Sequence, residues 1–365
     1  GDERIEALRS GMPKITTMDA RVPEGTEPYP YYRLDDSERL SYTSIVDGYL
    51  DRVIQGLLKK LDLKASELQN VGVFLGSSSI DYSLAWPIEQ DIDGGFARRW
   101  KRERVGGGGY VDGIMQRYGF DGPSLTYNTA CTSSANALMD AASMLEGGIV
   151  DYALVLGLEL YSPTTLEGFV MMKLLSPEAI RPFDQNRDGI VLGEAVSAVL
   201  LSRDDVADAS WHYLGGKSIC ETHSVTGANP NGEGIAQVMR DALDDAGVTS
   251  DSISIVKAHG TASDLNDQAE MRGMEQMFET IPPYLSFKPY IGHTLGGCGT
   301  AELLLMKESV DAGFIPPSVN FETLDEAFEN EPIRQMMELS TGRFMLNYFG
   351  FGGNNTSFII EKVES

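Results

Sequence analysis

Three cysteines and four histidines are the side chains of this 365-residue chain best suited to nucleophilic or proton-handling chemistry near neutral pH. Cys131 stands in YNTACTSSANAL, where Thr129, Thr132, Ser133 and Ser134 are helix-capping types and an alanine-rich apolar run follows. A cysteine in the first turn of a helix feels the positive end of the dipole, which favours the thiolate and nucleophilic attack. The alternative is a buried, inert thiol. Cys220 and Cys298 lack that setting and read as structural. His259 ends an apolar run and opens HGTASDLND, while His293 lies in KPYIGHTLGGCGTAE among Gly292, Gly296, Gly297 and Gly299. Glycines in such density permit close backbone approach or positive φ, and a histidine held there is placed for a site. Either histidine alone also fits a structural role. In the tail, MLNYFGFGGNNTSFII sets Gly350, Gly352 and Gly353 beside Phe349 and Phe351. That suits a turn between two strands whose N–H groups face a ligand; a bare β-hairpin is the alternative. No CxxC or HExxH spacing occurs, so no metal site is expected. GGGG at 106–109 lacks the GK[ST] ending of a phosphate loop.

Such groups need a rigid frame. Segments 72–79, 151–160, 195–202 and 252–260 read as short buried strands. Segments 134–148, 232–247 and 300–313 read as helices. In the second, Ile235, Val238, Met239, Ala242, Leu243 and Ala246 keep one apolar face and Gly247 is a suitable stop. A further helix is expected to start at Asp267, with Glu270 completing a capping box. Strands alternating with helices predict an α/β protein. Its first 45 residues read as irregular, with EGTEPYPYYRLDD a surface loop. The divide between two packed halves is expected near 201–210, giving units 1–205 and 206–365. The formal charge of −25 opposes general binding to nucleic acid. No apolar run is long enough to span a bilayer, and GDERIEALRS has no apolar signal region. Three cysteines cannot make a disulfide framework, so reduced thiols and a cytoplasmic location are expected.

Taken together, these motifs resemble the β-ketoacyl-[acyl-carrier-protein] synthases, and more narrowly their elongating Cys-His-His type. The resemblance runs from about residue 70 to the end. TACTSS matches the nucleophile motif at Cys131. RPFDQNRDGIVLGEA matches the central loop, with Asp184, Arg187, Asp188, Gly189, Gly193 and Glu194 in place. HGTASDLND supplies the first histidine, His259. KPYIGHTLGGCGTAE supplies Lys288, His293 and Glu302, and YFGFGGNN supplies Phe349, Phe351 and Asn355. Thiolases carry a second catalytic cysteine near the C-terminus, and none lies beyond Cys298. Initiating synthases are Cys-His-Asn, and chain-length factors lack the nucleophile.

The resemblance implies a thiolase-like fold of two similar halves in five αβαβα layers, normally dimeric. It implies a decarboxylating Claisen condensation with no cofactor, the substrates riding on the 4′-phosphopantetheine of an acyl carrier protein. Cys131 would hold the acyl group, with its own N–H and that of Phe351 as the oxyanion hole and Phe351 as gate. His259 and His293 would stabilise an enolate, and Lys288 would keep them neutral. Glu302, Phe349 and Asn355 would support the site; Thr261 and Ser263 would bind the pantetheine arm. An acidic carrier needs a basic patch on a chain this acidic. Arg98, Arg99, Lys101, Arg102 and Arg104 put five cations in seven residues, which suits docking or equally a solvated helix surface. Three departures stand out. Relatives begin with a VVTGxG-like strand, and this sequence starts about where that strand ends. HGTST reads HGTAS. Tyr348 stands where relatives prefer a small serine and Asn354 where they have a threonine; these last two departures bear on chain length and substrate choice, not on the reaction. The pathway is fatty acid or specialised polyene or polyketide synthesis. The partner is a second copy or a chain-length-factor-like subunit. The competing reading is a non-catalytic subunit that only shapes a partner's acyl tunnel.

Overall fold

The computed structural model describes residues 2–34, 42–79, 108–203, 209–224 and 227–364. The basic segment at Arg98, Arg99, Lys101, Arg102 and Arg104 lies outside these residues. The chain opens with helix α1 (Asp2–Ser10) and strands β1 (Thr16–Val22) and β2 (Gly25–Tyr32), which pair antiparallel. The first 45 residues, expected to be irregular, thus carry a helix and a hairpin, and the expected surface loop is largely strand. Its prolines, Pro28 and Pro30, hid it: they lack the N–H of a central strand, but β2 adjoins β6 (Leu192–Gly193) only through Tyr31 and Tyr32. Only those two of its residues are buried, so no alternation marks the strand. Helix α2 (Tyr42–Lys60) buries Val46, Leu50, Ile54 and Leu58, one residue per turn.

The first sheet contains β3 (Val71–Gly76), β4 (Ser124–Tyr127), β5 (Tyr152–Glu159) and β7 (Ala195–Ser202) in the order β4-β3-β5-β7. β3 runs parallel to both neighbours and β7 antiparallel to β5. All six residues of β3 are buried, as in a strand covered on both faces. The second sheet contains β8 (Trp211–Cys220), β9 (Ile255–Lys257), β10 (Tyr284–Leu285), β13 (Gly342–Phe349) and β14 (Asn354–Lys362) in the order β10-β9-β13-β14-β8. β9 is parallel to β10 and β13, and β14 is antiparallel to β13. Directions and order thus repeat from β4-β3-β5-β7 to β10-β9-β13-β14: two similar halves. A minor pair, β11 (Phe314–Ile315) with β12 (Met337–Glu338), lies apart.

Helix α3 (Gly108–Tyr118) packs with α2 on the outer side of the first sheet. Between the sheets lie α4 (Ser133–Glu146), which touches strands of both, and the last long helix of the chain, Cys298–Asp311. Helix α5 (Pro163–Met171) packs on β1. Helices α6 (Glu233–Ala246) and α7 (Asp264–Met277) lie by the second sheet, α6 directly on β8 and β14. With the short turn α8 (Lys288–Ile291) before it, the long Cys298–Asp311 helix is α9. The two inner helices meet closely: a Cβ on Gly299 of α9 would lie 2.2 Å from the Ala135 nitrogen of α4. This is the five-layer αβαβα stack.

The periodic elements fall within a few residues of expectation, with one instructive exception. Helix α7 starts at Asp264, not Asp267. Asp267 and Glu270 lie fully buried inside the helix and reach back to the loop before it. Asp267 accepts the N–H groups of Phe183, Thr261 and Ala262, and Glu270 accepts those of His259 and Gly260. These acids brace the His259 loop; they do not cap a helix.

Candidate active site

Cys131 follows a residue in an unusual conformation. After β4 ends at Tyr127, Ala130 takes φ +53°, a left-handed setting rare for a residue with a Cβ. This swings Cys131 into a short helical turn at the foot of α4. The turn is closed by Ser133, whose hydroxyl accepts the Thr129 N–H at 2.9 Å and donates to the Ala130 carbonyl at 2.6 Å. The capping residue types around Cys131 serve this turn.

His293 follows Gly292, whose φ of +72° and near contact with Leu192 suit only glycine. The His293 N–H donates to Val191 O at 2.7 Å, and Gly193 N–H donates to His293 O at 3.1 Å. The central RPFDQNRDGIVLGEA segment is thus the frame of this histidine. Its Asp184 accepts the N–H groups of Asn186, Glu322 and Thr323. Its Glu194 accepts those of Leu34 and Tyr161. So held, His293 Nε2 lies 3.1 Å from Cys131 Sγ. The ring of His259 lies 5.3 Å from that of His293, at 85° to it, with Phe349 against its other side at 5.8 Å.

Beneath the histidines is a buried charge cluster. Lys288 Nζ lies 3.3 Å from His259 Nδ1 and 2.7 Å from Glu302 Oε1. The other carboxylate oxygen of Glu302 is taken by Lys257 Nζ at 2.6 Å. All three side chains are wholly inaccessible to solvent. Burial, then the charge of Lys288, push both imidazoles well below their ordinary range; His293 and Lys257 add to this at His259, and Lys257 at His293. Burial works against the charge of Lys288, yet Glu302 holds it above its usual value. Burial lowers Lys257 to about 8 despite Glu302.

Burial acts on the Cys131 sulfur against the helix end. Burial raises the Cys131 thiol to about 11, although Lys288 and the N–H groups of Phe351 and Cys131 itself pull it down. Desolvation disfavours the charged form, so burial favours the thiol. Both N–H groups thus lie close to the sulfur. Phe351 opens a turn in which Gly352 and Gly353 take φ +83° and +76°. Its ring stacks on Phe169 at 5.8 Å. Asn355, on the same tail, is buried with its Nδ2 3.5 Å from Glu221 Oε2.

A cavity of about 260 Å³ joins Cys131, His259 and His293 to Thr261, Ser263 and Phe351. The sulfur is therefore not walled off. Thr261 and Ser263 hydroxyls lie 3.2 Å apart along it. Neither Tyr348 nor Asn354 lines this cavity. Asn354 Oδ1 accepts from the Thr132 hydroxyl and, at 2.9 Å, from Asn136. Tyr348 is buried behind the site, its hydroxyl donating to Gly299 O at 2.9 Å and its ring 3.4 Å below Lys257 Nζ.

Two site residues escaped sequence reasoning. Glu159 is buried, accepts the N–H groups of Ser78 and Gly296, and is raised to about 7 by burial. Lys257 carried a readable signal: a lysine inside the apolar run SISIVKAHG, two residues before His259. Among the described residues no group of His, Cys, Asp and Glu is arranged to hold a metal ion. No described helix is long and apolar enough to cross a membrane.

Comparison with known proteins places these features in context. Residues 46–207 match the beta-ketoacyl synthase N-terminal domain and residues 214–322 the beta-ketoacyl synthase C-terminal domain. The chain is 31% identical over 271 residues to a putative mitochondrial 3-oxoacyl-[acyl-carrier-protein] synthase of Schizosaccharomyces pombe, covering 68% of this chain and 64% of that one. Against the chloroplastic synthase II of Arabidopsis thaliana it is 30% identical, over 66% of this chain and 48% of the other. The match thus spans less than two thirds of these curated relatives. A ketosynthase (ApeO) solved with its chain length factor (ApeC) from Xenorhabdus doucetiae superposes with a TM-score of 0.85 at 25% identity, over 99% of this chain and 94% of that one. The ishigamide ketosynthase/chain length factor superposes with a TM-score of 0.85 at 23% identity, over 100% and 95%. The fold is the one these ketosynthases share.

Proposed function

The chain belongs to the β-ketoacyl synthase family, and on that footing we propose that it condenses an acyl thioester with malonyl-acyl-carrier protein, losing CO₂ and giving a 3-oxoacyl product. The observation that carries this reading is the 3.1 Å approach of His293 Nε2 to Cys131 Sγ, with the His259 ring facing His293 across the same cavity.

In the first half-reaction Cys131 attacks the thioester carbonyl. The thiol proton passes through His293 to the departing pantetheine sulfur, so a thioester is exchanged with no net proton. The N–H groups of Cys131 and Phe351 receive the oxyanion. In the second, malonyl-carrier enters along Thr261 and Ser263. Its carboxylate leaves as CO₂, and the enolate oxygen takes hydrogen bonds from the N–H groups of His259 and His293. Neutral rings suit this step, because an imidazolium is acidic enough to protonate the enolate before it reacts. Burial, Lys288 and Lys257 all favour the neutral form. The enolate carbon attacks the acyl group, the C–S bond breaks, and Cys131 leaves as thiolate and takes up from solvent the one proton the overall reaction consumes. No cofactor takes part beyond the pantetheine arm that carries both substrates.

In this reading residues 1–205 supply the nucleophile and 206–365 both histidines. The partners are an acyl carrier protein, docking on Arg98, Arg99, Lys101, Arg102 and Arg104, and either a second copy or a chain-length-factor-like subunit. A compartment with reduced thiols and carrier protein, a cytoplasm, is the setting. The competing non-catalytic subunit leaves the Cys131–His293 contact without a purpose. Intact-mass measurement after incubation with acyl-carrier protein decides. One acyl group is expected on wild type and none on Cys131→Ala; an unmodified wild-type chain overturns the proposal.

A further inference from the structure

The charge cluster under the histidines holds more than the family motifs account for. Lys257, the last residue of β9, is fully buried, and every neighbour of its Nζ is an acceptor. These are Glu302 Oε2 at 2.6 Å, the Asn347 carbonyl at 2.5 Å and the face of the Tyr348 ring at 3.4 Å. Three acceptors and no donor call for an ammonium. Burying a second ammonium is costly, and an apolar side chain of the same length would fill the space without that cost. Tyr348 completes this arrangement: its ring lies under Lys257, and its hydroxyl ties β13 to Gly299 of α9.

We propose that Lys257, with Tyr348 beneath it, is a positioning residue for the decarboxylation site, anchoring Glu302 so that its other oxygen holds Lys288 against His259. This deepens the condensing reading and rests on it for the reaction step. The mechanical part is the bridge. Glu302 has one oxygen for each lysine. Without Lys257, Glu302 is free to rotate toward Lys288 alone and the 3.3 Å approach of Lys288 to His259 Nδ1 is no longer set.

The electrostatic part is the sign of the field. Two ammonium groups share one carboxylate, which leaves a positive balance beneath the two rings. The other groups facing Lys257 are Cys298 on α9, Glu270 on α7 and Lys288 on α8. Of these only Glu270 opposes the balance as an anion, and burial raises it to about 7 despite its bonds to the His259 and Gly260 N–H groups. Cys131 and Lys288 are the further groups near His293. Loss of the Lys257 charge therefore lets both imidazoles protonate more readily.

The test compares wild type with Lys257→Met and Lys257→Arg. Ring nitrogen chemical shifts of His259 and His293, followed through an acid titration, read the proposal without any substrate. In Lys257→Met both rings should titrate on the order of one pH unit higher than in wild type, and Lys257→Arg should restore the wild-type curve. The acid limb of malonyl-carrier decarboxylation should move by the same amount. Unmoved ring titrations in a folded Lys257→Met overturn the proposal and leave Lys257 a structural lysine. Should Lys257→Met not fold, Lys257→Gln removes the charge while keeping a donor for Glu302 and Asn347, and the same two outcomes apply. Wild type that decarboxylates malonyl-carrier at no pH sinks the condensing reading, while the ring titrations still decide the role of Lys257.

Discussion

Cys131 and His293 form a thiol–imidazole pair whose partners are both neutral at rest. Burial raises the sulfur to about 11 and drives the imidazole well below its usual range. That environment favours proton transfer during attack over a standing thiolate. His293→Ala should slow acylation of Cys131 by ~10²–10⁴, the usual range for a lost general base; stopped-time intact-mass assays measure this. The buried rings also affect stability. Their folded-state values lie below the ordinary 6.5, so the unfolded chain binds protons that the folded one refuses. Their contribution to stability is complete above about 6.5 and is lost as pH falls toward the folded values. The thermal midpoint should drop on acidification below about 6.5, with a shallower slope in His293→Asn. Equal slopes in both proteins would refute the assignment. Every group of the Cys-His-His set, with Lys288 and Glu302, was legible from its motif. Lys257 showed in the sequence only as a lysine inside an apolar run; its partner did not, because the carboxylate it shares, Glu302, is 45 residues away.

The elements act as struts for these groups. Gly299 in α9 shows how local preference and packing can conflict. In an exposed helix, glycine to alanine is stabilising by roughly 1 kcal/mol. Here the new Cβ would fall 2.2 Å from the Ala135 nitrogen, a backbone atom that cannot yield alone. Sterics win, and Gly299→Ala should destabilise by about 3 kcal/mol, the upper end for overpacking, as measured by urea unfolding. Helices α4, α6 and α9 and strands β3, β5 and β7 were legible because their apolar periodicity is set by burial on one or both faces; α1, inside the stretch read as irregular, was not. The β1–β2 hairpin and the start of α7 were not. The hairpin is solvated over most of its length, and the acids of α7 serve a loop folded back over them, a contact no local pattern encodes.

For the whole molecule, the balance of 29 basic against 54 acidic residues governs approach of a partner. An acidic carrier meets long-range repulsion unless a basic patch focuses it. Docking on the Arg98–Arg104 segment predicts that kcat/KM for carrier-bound substrate falls as salt rises. Reversing Arg99, Lys101 and Arg102 should raise the carrier KM and invert that slope. A KM unchanged by the triple reversal rejects this face. By itself the sequence determined the family and the α/β order and singled out Cys131, His259 and His293, because each signal depends on residues adjacent in the chain. The tertiary structure alone decided that the cysteine is buried, that Tyr348 and Asn354 do not line the cavity, and that two lysines share Glu302. Those outcomes depend on desolvation and on contacts across the two halves, and neither quantity exists until the inner helices have closed on each other.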